Sequence, residues 1–278
     1  MKKSILDLIG NTPLIQLDEH VYAKPEFLNP TGSIKDRMVK YMIEAAEKSG
    51  ELKPGYTVVE ATSGNTGISL SMIASLKGYK AKIFMPETMS IERRKIMEAY
   101  GAELVLTESM NEAVKRAEEL GKNNGYFYLN QFRNKNNVLT HRYTTGQEIL
   151  DSMDGIDAFV AGIGTGGTIM GVGQALRERF PDVKLIGILP KDEPNRIEGI
   201  GCYYGEILKE DFLDRIVRVS NSEAFSTARE LARTKGLLVG PSSGANYFVA
   251  KTLKYERVVT VLPDSGSRYL STGLFGSL

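Results

Sequence analysis

The sequence predicts an α/β protein with two open, mostly parallel sheets covered by helices. Short runs rich in β-branched residues alternate with longer amphipathic segments along the chain, which is the pattern of βαβ units. Polar, glycine-rich stretches follow several of these runs, as expected for loops at the carboxyl ends of parallel strands. No period of about 20–50 residues repeats, so a solenoid is excluded.

The first series of elements begins after an Asn-Pro and Thr-Gly turn at residues 29–32. Ser33 and Asp36 suggest a capping box, which predicts a helix extending to about Lys48. Runs of β-branched and aromatic residues predict strands at 56–60, 81–85, 103–107 and 126–129. Apolar spacing predicts helices at 67–76, 91–100, 111–121 and 137–152.

A second series follows the same logic. Strands are predicted at 157–161, 183–189, 215–219 and 257–262, and helices at 168–180, 222–235 and 243–253. Two series of βα units predict two α/β domains, with a boundary near residues 135–145.

Composition excludes several classes of function. The chain has 278 residues, with 35 Lys and Arg against 34 Asp and Glu, so no basic excess indicates nucleic acid or an anionic membrane as a partner. A single cysteine, Cys202, excludes an intramolecular disulfide and a cysteine-based metal cluster, and we expect no metal. The sequence contains no run of about 18 apolar residues, so it predicts no membrane-spanning helix. The expected location is the cytoplasm.

Two glycine-rich loops could each bind an anion. Residues 62–67 follow the strand at 56–60 and open a helix, so free N–H groups and polar side chains suit a carboxylate or phosphate, although a well-capped turn is the alternative. Residues 162–168 contain G-x-G-x-x-G, but no acidic residue follows at the spacing of a dinucleotide site. A single phosphate fits that loop better. A nicotinamide oxidoreductase and a tight turn without ligand remain alternatives.

Two further residues stand out. Ser242, in a third polar loop before a helix, could contact a ring atom of a ligand or serve as a plain cap. Lys35 lies in the first turn of its predicted helix, where the helix dipole favours the neutral amine that a Schiff base needs. A solvated lysine is the alternative. Together, lysine, phosphate loop, carboxylate loop and hydroxyl describe a site for pyridoxal 5'-phosphate carrying an amino acid.

These motifs, with others in the same order along nearly the whole chain, resemble one enzyme family. The chain is similar to the cysteine synthase (O-acetylserine sulfhydrylase) and cystathionine β-synthase family of fold-type II pyridoxal-phosphate enzymes, whose fold is like that of the tryptophan synthase β-subunit. The segments that carry the resemblance are residues 9–14, 29–37, 62–67, 85–95, 130–132, 144–146, 164–168, 197–201, 242–244 and 268–272.

The resemblance implies a role for each candidate residue. Lys35 would carry the cofactor and move the α-proton of the substrate. The cofactor phosphate, ring oxygen and ring nitrogen would be bound by Gly164, Thr165, Gly166, Gly167, Thr168, Asn65 and Ser242. The substrate α-carboxylate would be bound by Thr62, Ser63, Thr66 and Gln131, and Gly199 would line the pocket. The implied domains are a larger cofactor-binding domain at 1–39 plus 138–278 and a smaller mobile domain at 40–137.

The implied reaction is β-replacement, most simply O-acetyl-L-serine plus sulfide giving L-cysteine plus acetate. The closest alternative is a cysteine lyase or exchange enzyme that releases hydrogen sulfide, for which Asp192, Glu193 and Glu198 are candidate water-activating acids. The segment at 190–196 is shorter than in typical relatives, and Cys202, Tyr203 and Tyr204 follow it. The resemblance implies that this stretch lies near the mouth of the active site, and its departure from the family pattern leaves the identity of the substrate open. A homodimer is expected. Serine acetyltransferase is a possible partner, and a non-catalytic partner protein is a further alternative.

Overall fold

The computed structural model describes residues 4–62, 64–201 and 206–276. The chain divides into two compact units. Unit 1 comprises Met1–Ile9 and Lys35–Asn137, and unit 2 comprises Gly10–Ile34 and Val138–Leu278. The predicted division into a larger cofactor-binding domain at 1–39 plus 138–278 and a smaller mobile domain at 40–137 stays a prediction.

Unit 1 is built on a four-stranded parallel sheet in the order β5-β4-β3-β6. Its strands are β3 (Thr57–Ala61), β4 (Lys80–Pro86), β5 (Glu103–Thr107) and β6 (Tyr126–Tyr128). Its helices are α1 (Lys35–Ser49), α2 (Asn65–Lys77), α3 (Ile91–Ala99) and α4 (Met110–Gly121). Alternate residues of β3 enter different apolar clusters, because successive side chains point to opposite faces: Val58 joins one cluster and Val59 the other.

Unit 2 contains a six-stranded sheet in the order β1-β2-β10-β7-β8-β9, parallel except where β1 meets β2. Its strands are β1 (Ile15–Gln16), β2 (Val21–Pro25), β7 (Ala158–Gly162), β8 (Lys184–Pro190), β9 (Arg215–Val219) and β10 (Val258–Leu262). Its helices are most of α5 (Asn136–Tyr143), then α6 (Thr145–Ser152), α7 (Gly167–Arg179), α8 (Asn221–Lys235) and α9 (Pro241–Thr252). Two apolar clusters pack on the two faces of β10, with Val258 in one and Val259 in the other.

The predicted fold class is confirmed, and most predicted elements lie within one or two residues of their expected bounds. The single helix predicted at 137–152 is wrong: two helices, α5 and α6, meet at Thr144. Strands β1 and β2 were not predicted. Strand β2 contains Lys24 and Pro25, which interrupt the apolar run by which strands are recognised. No helix among the described residues is long and apolar enough to span a membrane.

Lys24 is buried in β2 because polar partners surround its amine. The side chain is 1% exposed, and Nζ donates to the carbonyl oxygen of Thr12 at 2.6 Å and to its Oγ1 at 2.8 Å. Glu148 Oε2 lies 2.5 Å from the same Nζ, while Glu148 Oε1 accepts the N–H of Asn11. The buried charge therefore fixes the segment that precedes β1.

Replacing this lysine with methionine (Lys24→Met) should destabilise the protein strongly. The change leaves the carbonyl oxygen of Thr12 and the carboxylate of Glu148 without their cation, and we expect the free energy of unfolding to fall by about 3 kcal/mol. Chemical denaturation measures the loss. The control is Lys77→Met, which breaks a half-exposed pair with Glu47 and should cost less than about 1 kcal/mol. Equal losses in the two variants would contradict the prediction.

Candidate active site

Lys35 is the first residue of α1 in unit 1 and is half-buried. The helix is anchored directly beside it, since Asp36 is fully buried and its Oδ1 accepts the hydroxyl of Ser69 on α2 at 2.5 Å. The fifteen residues of α1 place the positive end of the helix dipole at this lysine. The structure thus places the predicted amine at a fixed helix terminus.

The predicted carboxylate loop links β3 to α2, also in unit 1. Gly64 is the residue before the helix, and its N–H donates to Thr62 Oγ1 at 3.1 Å. A Cβ on Gly64 would lie 2.4 Å from Cδ of Arg93, a fully buried side chain of α3. The N-terminus of a thirteen-residue helix therefore opens at this loop, where an anion is favoured. Ser63 lies outside the described residues.

Gln131 joins this loop from the segment after β6. Its Oε1 accepts the hydroxyl of Thr66 at 2.7 Å, and its Nε2 donates to the carbonyl oxygen of Ala61 at 2.9 Å. The structure thus brings Thr62, Thr66 and Gln131 together, and each is at most 3% exposed. One Nε2 hydrogen is used by Ala61, which leaves the second for a further acceptor such as a substrate carboxylate.

Glu60 is the penultimate residue of β3, two positions before Thr62 of the carboxylate loop. It is fully buried, and this burial raises the pKa of Glu60 to about 8, although hydrogen bonds from the N–H groups of Gln131 and Ala61 oppose the rise. A neutral carboxyl is therefore the main form near pH 7.

The raised pKa predicts a pH-dependent stability. Between the ordinary pKa of 4.5 and about 8, the folded protein keeps a proton on Glu60 that the unfolded chain releases. The free energy of unfolding should therefore fall as the pH rises through this window. Denaturation at pH 5, 6.5 and 8 measures the slope, which Glu60→Gln should reduce. The control is Glu103→Gln on β5, whose carboxylate is largely exposed, and it should keep the wild-type slope.

The predicted phosphate loop links β7 to α7 in unit 2. Gly166 has the left-handed conformation, with φ of 88°, and precedes the first residue of α7. The N–H of Gly167 donates to Thr165 Oγ1 at 3.3 Å. A Cβ on Gly164 would lie 2.4 Å from the carbonyl oxygen of Gly199. The structure thus brings the phosphate loop and Gly199 together.

This loop fits the phosphate of pyridoxal phosphate. Glycines leave the backbone uncovered at the N-terminus of a thirteen-residue helix, where free N–H groups and the helix dipole bind anions. Thr168, in the first turn, places its Oγ1 3.4 Å from Nε2 of the buried His141. Hydroxyl and backbone donors are the groups that a phosphate monoester requires.

Ser242 is nearly buried in the first turn of α9. Gly240 precedes this helix, where a Cβ would lie 2.1 Å from Oδ1 of Asp264, so a larger residue would displace this carboxyl group or the start of the helix. One turn later, Asn246 Oδ1 accepts the N–H of Gly162 at 2.8 Å, and its Nδ2 donates to the carbonyl oxygen of Val261. Asn246 therefore ties the helix that carries Ser242 to the strand that ends at the phosphate loop.

Three structurally important residues are not among those predicted from the sequence. The sequence could have identified Asn246, because it is a polar residue four positions after Ser242 and so shares its helix face. It could also have identified Glu60, which is a lone charged residue in an apolar strand. No sequence feature identifies His141, since its contacts with Thr145 and Thr168 depend on the packing of three helices.

Comparison with known proteins identifies the family. The family profile described as "Pyridoxal-phosphate dependent enzyme" matches residues 5–264. The chain belongs to this family. It is 45% identical over 299 aligned residues to cysteine synthase of Staphylococcus aureus strain Mu50, with 98% of this chain and 96% of the relative covered. The cofactor is pyridoxal 5'-phosphate, and the resemblance to the cysteine synthase branch is confirmed.

Solved structures are also similar to this chain over nearly its whole length. O-ureido-L-serine synthase has a TM-score of 0.94 at 38% identity, covering 99% of this chain and 95% of that one. A hydrogen sulfide-producing enzyme from Fusobacterium nucleatum has a TM-score of 0.93 at 37% identity, covering 98% and 90%. The chain therefore has the fold of these enzymes over its full length, and it is a β-substituting enzyme of the same type.

Proposed function

We propose that the protein converts O-acetyl-L-serine and sulfide into L-cysteine and acetate. The observation that carries the proposal is the full-length similarity to a cysteine synthase, at 45% identity. The geometry of the carboxylate loop supports it, because Thr66 and Gln131 form a rigid polar pair at a helix N-terminus.

The site residues take the following roles in this proposal. Lys35 carries the cofactor and accepts the α-proton of the substrate at its amine, because a neutral amine is both nucleophile and base. The substrate α-carboxylate is bound by Thr62, Ser63, Thr66 and Gln131. The cofactor is held by Asn65 at its ring oxygen, Ser242 at its ring nitrogen, and Gly164, Thr165, Gly166, Gly167 and Thr168 at its phosphate, while Gly199 lines the pocket.

Bound pyridoxal phosphate supplies an electron sink that permits a β-substituent to leave and a nucleophile to add. The chain's residues orient the amino acid for that exchange. Binding of the α-carboxylate at the N-terminus of α2 fixes the substrate, and closure of that loop would exclude water. We further propose that the enzyme is a cytoplasmic homodimer, with serine acetyltransferase as a possible partner.

Release of hydrogen sulfide from L-cysteine is the second candidate, favoured by the similarity to hydrogen sulfide-producing enzymes. This reaction needs an acidic residue whose carboxylate accepts a proton from water and so activates it. Asp192 is engaged in capping, since its Oδ2 accepts the N–H of Asn221 at the start of α8 at 2.6 Å. Glu193 is exposed and Glu198 is half-buried, and both stay candidates for this role. Cys202, Tyr203 and Tyr204 lie outside the described residues.

A visible absorption spectrum tests these proposals. The purified protein should show the band of lysine-bound pyridoxal phosphate, which should shift when O-acetyl-L-serine is added and recover when sulfide follows. A band that ignores O-acetyl-L-serine but responds to L-cysteine with release of sulfide would favour the second candidate. In that case alanine variants of Asp192, Glu193 and Glu198 would identify the water-activating acid, and the role fails for any residue whose loss leaves sulfide release intact.

A further inference from the structure

Glu60 is a buried acid that none of the roles above uses. It follows Val59 on β3, and by the alternation of the strand its side chain shares the face of Val58, which lies in an apolar cluster with Met38 and Ile68. A carboxyl group in such surroundings is costly unless its oxygens have hydrogen-bond partners. The partners that Glu60 has therefore indicate its purpose.

The two carboxyl oxygens of Glu60 join segments that are distant in the sequence. Oε1 accepts the backbone N–H of Ala61 at 2.7 Å, and Oε2 accepts the backbone N–H of Gln131 at 3.0 Å. Gln131 follows Asn130, a non-glycine residue with a φ of 58°. The carboxyl group thus satisfies the N–H that emerges from this left-handed turn, and it ties that turn to the end of β3.

The other polar groups of Gln131 are also held. Asn137 Nδ2 donates to its carbonyl oxygen at 2.8 Å, and Thr66 Oγ1 donates to its side-chain oxygen. The same Ala61 that binds Glu60 through its N–H accepts Gln131 Nε2 through its carbonyl oxygen. Gln131 is therefore tied to β3 at two points, by Glu60 at its backbone N–H and by the carbonyl oxygen of Ala61 at its side chain.

We propose that Glu60 is a positioning residue for the amino-acid substrate: its carboxyl group fixes the backbone of Gln131 so that the Gln131 side chain is held against Thr66. The inference rests on the proposed function, because it assumes that Thr66 and Gln131 bind the substrate α-carboxylate. Glu60 itself acts through Gln131 and makes no contact with substrate in this proposal.

Glu60→Gln is the most informative variant. Both oxygens of the Glu60 carboxyl group, whether it is neutral or ionised, keep a lone pair that accepts an N–H, whereas a glutamine side chain has one accepting oxygen and an NH₂ group that cannot accept. The variant therefore keeps the size of the side chain and loses one of the two hydrogen bonds, and Glu60→Ala loses both. Glu103→Gln on β5 is the matched control, because it makes the same chemical change on an exposed strand of the same sheet.

The experiment measures KM and kcat for O-acetyl-L-serine, bound pyridoxal phosphate, and hydrogen exchange at the Gln131 amide. We expect Glu60→Gln to raise KM about tenfold, the effect of one lost hydrogen bond, and to change kcat far less. Glu60→Ala should raise KM further. Cofactor content should stay at the wild-type level, and exchange at Gln131 should accelerate in both variants but not in the control.

A double-mutant cycle with Thr66→Val separates positioning from general destabilisation. Because Glu60 acts through the Thr66–Gln131 pair, its effect on KM should shrink once the Thr66 hydroxyl is gone. Additive effects, or an unchanged KM in Glu60→Gln despite faster exchange at Gln131, would overturn the proposal and leave Glu60 a purely structural residue.

Measurements on the wild-type protein decide two further outcomes. If the Glu60 variants do not fold, the Gln131 amide of the wild-type protein must exchange slowly without substrate, and fast exchange there would overturn the proposal. If the wild-type protein responds to neither O-acetyl-L-serine nor L-cysteine, the proposed function has failed, whereas slow exchange at Gln131 would still show that its N–H is protected, as the bond to Glu60 requires.

Discussion

Replacing Lys35 with alanine should reduce the β-replacement rate at least about 10³-fold, the scale of losing a positioned general base. The variant should also lose the covalent link to the cofactor. Borohydride reduction followed by peptide mass analysis measures this directly: the wild-type protein should carry the added cofactor mass on the peptide that contains Lys35, and the variant should carry none there.

The control for this prediction is Lys48→Ala, at the exposed last turn of the same helix. It removes an amine from α1 without touching the helix start, so rate and cofactor attachment should match the wild-type protein. Cofactor mass on a lysine other than Lys35 in the wild-type protein would contradict the assignment. Full activity in Lys35→Ala would contradict it equally.

The fold was predictable because most of its strands are apolar and because glycines mark the ends of α2, at Gly78, and of α8, at Gly236. The strand at 103–107 was predicted to the residue, since a short apolar run at 104–106 lies between the polar residues Glu103 and Thr107. Strand β2 was not predicted from the sequence, because the burial of Lys24 depends on contacts with Thr12 and Glu148 that no local pattern reveals. The break at Thr144 was not predicted either, and Gly146, two residues later, packs tightly against Ala175 on another helix, a contact that no local pattern reveals.

The loops that contain residues 62–67 and 164–168 were predictable because glycines and polar residues mark them, and the binding roles of their residues stay a prediction. The hydrogen bonds that hold these loops in place could not be predicted. Glu60 holds Gln131 across 71 positions of sequence, and Asn246 holds Gly162 across 84. Such long-range bonds depend on the register of strands and the start of helices, so a sequence shows the polar residue without showing its partner.

Gly164→Ala should have the second large effect, on cofactor affinity. The added Cβ would lie 2.4 Å from the carbonyl oxygen of Gly199, a backbone atom that cannot rotate away as a side chain could. The phosphate loop or the segment at Gly199 must therefore move. Overpacking of this kind costs about 1–3 kcal/mol, and if that strain falls on the cofactor-bound form, affinity for pyridoxal phosphate should fall about 10–100-fold.

Titration of the apoprotein with pyridoxal phosphate measures this affinity, and Gly173→Ala is the matched control. Gly173 lies on α7, the helix that the phosphate loop opens, but its added Cβ would meet the side chains of Leu185 and Phe212. The control should lose stability while keeping its affinity for the cofactor, because the strain falls in the apolar core. Equal loss of affinity in both variants would mean that α7 as a whole, rather than the close approach of Gly164 to Gly199, determines phosphate binding.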